Sequence, residues 1–129
     1  MKKLVFLILP LLALPSCVLF VGAGAGYAVS REVLPNDVYK AEVQRDVDEV
    51  WTAAKETLDI LHDATSEVQA QEFPRVATTQ VEGCEVTVEV EAFDLGRTVI
   101  RVQARKVLKT DGRTAERVLN RLLEQLRKS

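Results

Sequence analysis

Few side chains in this chain could do covalent or acid–base chemistry: Cys17, Cys84, the single histidine His62, and carboxylates at Glu85, Glu89 and Glu91. One histidine and two distant cysteines do not supply the four closely spaced donors of a tetrahedral metal site, so no metal is expected. His62 falls at the end of a predicted helix, where a protonated imidazole suits the dipole. Cys84 falls on the inward face of a predicted strand, the place of a small buried hydrophobe, and no histidine base lies near it in sequence. The three glutamates alternate with valines, as on a solvated strand face. No catalytic constellation emerges, and the chain reads as a non-enzyme.

Charge is more informative. Residues 31–96 hold 5 basic and 16 acidic side chains, whereas residues 97–129 hold 10 basic and 3 acidic. Arg113, Arg117 and Arg121 recur every four residues, which lines them along one helix face. Such a stripe attracts phosphate-bearing headgroups or an acidic protein partner. The competing reading is neutralisation within the chain by the acidic first helix and strands. No aromatic platform interleaves with the arginines, so nucleic acid is not the expected partner.

Cys17 has a different setting. All 19 carboxylates lie beyond residue 29, and the chain starts with Lys2 and Lys3 followed by the apolar run 4–14. A basic start and a short apolar run are the marks of an export signal. The run is too short to span a bilayer alone and Pro10 interrupts it. Leu14-Pro15-Ser16-Cys17 follows, an aliphatic residue and then a small residue before cysteine. The segment resembles the bacterial lipobox. That resemblance implies cleavage before Cys17, a diacylglycerol thioether on its sulfur and an acyl chain (palmitate or similar) on its new amine. It implies no other cofactor. Only a thiol provides that thioether, and stable anchoring needs more than one acyl chain. By the same resemblance, Val18 in place of aspartate implies the periplasmic face of the outer membrane rather than the inner membrane. The alternative is an uncleaved single-pass signal anchor over residues 4–29.

The domains expected are therefore a signal peptide over 1–16, a lipidated cysteine with a glycine-rich tether over 17–36, and a folded domain over 37–129. Gly22-Ala-Gly24-Ala-Gly26 imitates a dinucleotide fingerprint but lacks the third glycine at either spacing and any surrounding βαβ unit. Gly22 and Gly26 suit either a spacer or close helix packing in a membrane. As a spacer, residues 18–36 extend to roughly 65 Å. Pro35-Asn36-Asp37 is a turn signal that closes it.

Past Asp37 the periodicities define elements. Tyr39, Ala41 and Val43 alternate with polar residues as a strand. Asp46 caps a helix, with Glu49 in the capping-box position, and Val47, Val50, Trp51, Ala54, Leu58 and Leu61 form its apolar face. Thr65–Ala70 is a weaker strand, ended by Phe73-Pro74. Val86, Val88 and Val90 alternate with glutamates up to Asp94-Leu95-Gly96, a three-residue loop with Gly96 left-handed. That loop pairs Val90 with Ile100, Val88 with Val102, Glu89 with Arg101 and Glu85 with Arg105. Glu82-Gly83 is a second tight turn, pairing Val81 with Cys84. After Asp111-Gly112 a last helix carries Ala115, Val118, Leu119, Leu122, Leu123 and Leu126 inward.

The order β-α-β-β-β-β-α predicts an α+β two-layer sandwich, with two helices on one face of a mainly antiparallel sheet of four to five strands. With its lipobox, its glycine-alanine stretch ending in tyrosine and the helix opening at Asp48-Glu49-Val50-Trp51, the chain resembles a group of small bacterial lipoproteins of unknown function. It departs from that pattern where Lys106-Val107-Leu108-Lys109-Thr110-Asp111-Gly112 replaces a glycine-rich turn. The resemblance implies a lipid-anchored envelope protein held to the membrane at Cys17. Its expected role is a structural, assembly or protein-binding accessory, and the alternative is an anionic-lipid-binding module using the arginine stripe.

Overall fold

Alternating valines and charged residues between Cys84 and Lys106 demand an extended chain with one apolar face. The structure, a computed structural model that describes residues 28–107 and 109–128, is built around that hairpin. Strand β5 (Cys84–Asp94) pairs with β6 (Arg97–Lys106). The register is the one the sequence specifies: Val90 faces Ile100, Val88 faces Val102, Glu89 faces Arg101 and Glu85 faces Arg105. A one-residue slip would set valine against arginine and expose the apolar face. Strand β4 (Arg75–Val81) enters β5 through Glu82-Gly83, with φ of 52° and 80°. Two positive φ values in succession are what a type I′ hairpin requires.

Strands β1 (Ala28–Leu34), β2 (Val38–Val43), β3 (Gln69–Glu72) and the two-residue β7 (Lys109–Thr110) complete the sheet. It has seven strands in the order β1-β2-β6-β5-β4-β3, with β7 on β6, and every pairing is antiparallel. Helices α1 (Val47–Leu61) and α2 (Gly112–Lys128) pack on one face of it. The α+β two-layer class is therefore as expected. Val50, Ala54 and Leu58 from α1 and Leu119, Leu122 and Leu126 from α2 are wholly buried against Val86, Val88, Ile100 and Val102. Each of these valine, leucine and isoleucine side chains contributes about 1.5–3 kcal/mol on burial. Asp46 caps α1, its carboxylate accepting the Asp48 N–H at 2.9 Å. Glu49 does not complete a capping box; its Oε2 accepts from Arg45 Nη1 at 3.1 Å.

Four local expectations are corrected. The sheet has seven strands, not four or five. The weak strand expected at Thr65–Ala70 lies at Gln69–Glu72 and is exposed along its length. Gly96 is not left-handed: a register shift between Ala92 and Asp94 leaves Asp94 opposite Arg97, a shorter loop in which Asp94 Oδ1 accepts the Gly96 N–H. The largest difference is β1. Residues 28–36, assigned from sequence to the tether, form an edge strand and a turn paired along β2. Its alternation is broken because Arg31, opposite the buried Ala41, takes an inward position. There its guanidinium donates to Asn120 Oδ1 of α2 at 2.8 Å.

These registers give the sandwich two distinct ends. The chain enters at one: Ala28 lies beside Val43, which lies beside Thr98 at the start of β6. The β3–β4 turn, the β5–β6 loop and the start of α1 share this entry end. The last turn of α2 also lies here, where the Leu126 carbonyl accepts from Arg45 Nη2 at 2.9 Å. At the far end lie the Glu82-Gly83 turn, the β6–β7 turn, the C-terminus of α1 and the N-terminus of α2. Asp63, just past α1, ties that end together by accepting the Glu82 and Gly83 N–H groups at 2.8 and 3.1 Å.

Candidate functional site

Helix α2 begins where Asp111 donates its N–H to the Ala104 carbonyl and its Oδ1 accepts the Thr114 N–H at 3.1 Å. That N–H, and then the Cys84 thiol, hold the Asp111 carboxyl below the usual carboxylate range. Cys84 is 1% exposed, with Sγ 3.4 Å from Asp111 Oδ2 and 3.8 Å from Thr114 Oγ1. Burial pushes the thiol above its ordinary range. A buried, protonated thiol donating to a carboxylate is the reverse of an activated nucleophile. His62 closes α1, its N–H bonded to the Leu58 carbonyl and its Nδ1 2.8 Å from the Asp63 carbonyl oxygen. Among the described residues no three His, Cys, Asp or Glu side chains cluster as a metal site.

The three arginines lie exposed along α2, but they do not act as one stripe. Arg117 is engaged: its Nη1 and Nη2 donate to the two carboxylate oxygens of Glu82 at 2.9 and 2.5 Å. Arg113 and Arg121 make no ion pair among the described residues. Arg113 instead joins Lys106 and Lys109 around a depression of about 540 Å³ over the β6–β7 turn and the start of α2. Arg121 borders a separate groove of about 440 Å³ floored by Leu61, Val81 and Val118. Arg117 forms the wall between them.

Most other charge is neutralised where it stands. Arg101 reaches Glu91 at 3.0 Å and Glu89 at 3.8 Å, and Arg97 reaches Glu42 at 2.8 Å. Glu89 and Glu91 are thus members of an ion-paired sheet face. The intramolecular reading of the charge split accounts for Arg97, Arg101, Arg117 and Arg127; among the cations it leaves, Lys106, Lys109 and Arg113 gather at one depression. Sequence reasoning missed the two lysines as site residues because their grouping with Arg113 depends on how β7 folds back on β6.

Around this cluster the backbone is unusual. Val107 has φ 57° and is 89% exposed, a left-handed conformation that costs a β-branched residue energy and suits glycine. Thr110 Oγ1 donates to Asp37 Oδ2 at 2.6 Å, so the β1–β2 turn braces the same corner. A Cβ on Gly112 would meet Tyr39 Cε1 at 3.3 Å.

Cys17, the lipobox and the glycine run lie outside the described residues. Among the described residues no helix is long and apolar enough to cross a membrane. No protein-family model matches the chain, and no curated protein matches it at a significant level.

Proposed function

We propose that this protein is a lipid-anchored accessory of the bacterial envelope, held to the membrane through acylated Cys17, that presents its far end to an acidic surface on an envelope protein. The lipobox-like Leu14-Pro15-Ser16-Cys17 supports the anchor. The division of the domain into two ends supports the choice of partner. The chain runs toward Cys17 from the Ala28 end, and Lys106, Lys109 and Arg113 gather at the other.

Lengths favour a protein partner over anionic headgroups. With β1 in the sheet, only residues 18–27 separate Cys17 from the domain, a reach of about 34 Å when fully extended. Strand β6 from Thr98 to Lys106 covers about 27 Å of sheet. Bringing the basic cluster to the bilayer would spend almost the whole connection running back along the domain. Held the other way up, the cluster faces the compartment beyond the membrane, where an acidic partner gains from its charge in both encounter rate and register.

A photo-crosslinking side chain at Arg113 tests this in growing cells. The expected product is one discrete adduct with an acidic envelope protein, lost when Lys106 and Lys109 are both changed to glutamate. Adducts to lipid in place of protein would reverse the reading in favour of the headgroup alternative.

A further inference from the structure

The entry end carries an apolar feature that packing inside the domain does not use. Phe73 is 89% exposed, Leu95 99% and Phe93 58%. Phe73 sits in the β3–β4 turn, Phe93 in the last residues of β5 and Leu95 in the β5–β6 loop. Register places both turns at one end. Arg75, which follows the first turn, pairs with Val90, and β5 continues four residues past Val90 to Asp94 beside the loop tip. Ala28, level with Val43 and Thr98, leaves the sheet at the same end. These are the only two phenylalanines among the described residues, and a folding domain gains nothing by leaving both in water. The other exposed large aliphatics form no such group. Val33 lies on edge strand β1, Ile60 on α1, which packs over β4 and β5, and Val107 in the β6–β7 turn at the far end.

We propose that the entry end is seated in the interfacial layer of the bilayer that holds Cys17, with Phe73, Phe93 and Leu95 as the inserted side chains. The inference rests on acylation of Cys17 as proposed above. Aromatic and leucine side chains partition into the headgroup–acyl boundary. The short connection keeps this end within reach of the bilayer at high local concentration, so even weak insertion is populated. The arginines flanking these three side chains are already paired. Arg97 pairs with Glu42 and its guanidinium lies 5.1 Å from the Phe93 ring centroid, and Arg75 pairs with Asp48 at 2.8 Å. The contact is therefore apolar, indifferent to lipid charge and to salt. It also fixes orientation: the sheet stands on its entry end, with Lys106, Lys109 and Arg113 outermost.

The test uses the full-length chain isolated from membranes and reconstituted into vesicles of phosphatidylcholine alone. An environment-sensitive fluorophore is placed through Leu95→Cys or, at the opposite end, Val107→Cys. Acylated Cys17 and buried Cys84 leave the new thiol as the reactive one. The label at 95 should shift to the blue, be quenched by lipids brominated high on the acyl chain, and be shielded from aqueous iodide in low and high salt alike. The label at 107 should stay accessible to iodide, and Phe73→Ser with Phe93→Ser should abolish the blue shift at 95. Equal iodide access at both positions, in a protein that floats with the vesicles and carries acylated Cys17, overturns the seating and leaves the anchor standing. Unmodified Cys17 in a protein that does not float overturns both.

Discussion

The two ends of this sandwich are made from the same sheet and the same two helices, yet they are chemically opposed. At the entry end the arginines are consumed by Glu42, Asp48 and Asp94, while Phe73, Phe93 and Leu95 are left in the open. At the far end Val81 and Cys84 are buried up to the turn, and Lys106, Lys109 and Arg113 surround a depression without ion-pair partners among the described residues. Neither pattern is needed to hold the core together. A domain that had only to fold would bury its phenylalanines and spread its cations, and the asymmetry supports the proposed orientation, one end toward a bilayer and the other toward a partner.

Helix α2 joins both ends, so a cavity at its centre should have the largest effect. Leu119 is wholly buried at the centre of α2; Leu119→Ala should cost about 2–5 kcal/mol by cavity formation and lower the urea midpoint as a single transition. Separate transitions for the two ends would show that they fold independently. Smaller changes address one end each. Removing the α1 cap at the entry end with Asp46→Ala should cost about 1 kcal/mol. Relaxing the far end with Val107→Gly should stabilise by about 0.5–1 kcal/mol, because left-handed strain is relieved at some cost in chain entropy. Thermal melts of the two variants should move in opposite directions.

The far end should also have its own pH dependence. Burial raises the Cys84 thiol above its ordinary range, so folded and unfolded chains both hold the proton at neutral pH. Above about pH 8.5 the unfolded thiol ionises first, and stability falls until pH passes the raised folded value. Cys84→Ser should flatten that alkaline decline. Asp111 acts in the other direction: its lowered carboxyl contributes stability above the ordinary carboxylate range, and this is lost as pH falls through the folded value. The smallest stability effect belongs to Glu82→Gln. The Arg117–Glu82 pair is exposed on both sides, so a melt should move by no more than about 0.5 kcal/mol. Freed Arg117 should nevertheless add to the basic cluster and strengthen capture of the proposed acidic partner.

Much of the fold was legible in the residues because patterns there had one consistent solution. Valine against isoleucine and glutamate against arginine in β5 and β6 allow a single register, and Glu82-Gly83 names its own turn. Strand β1 was illegible because an inward position is Arg31, whose partner Asn120 lies 89 residues away. The charge split could be read, but not its resolution. That Arg117 meets Glu82 while Arg113 meets lysines depends on α2 starting beside the β4–β5 turn, which no spacing encodes. The grouping of Phe73 with Phe93 was illegible because periodicity does not say which turn and which strand terminus share an end.

Attachment through Cys17 decides the orientation, and intact mass spectrometry of the membrane-fraction protein, native and Cys17→Ala, tests it. The prediction is a native chain beginning at Cys17 with added mass for diacylglycerol and one acyl chain, and a mutant without that mass that is lost from the membrane. An intact chain beginning at Met1 with unmodified Cys17 would contradict the account and make residues 4–29 a signal anchor.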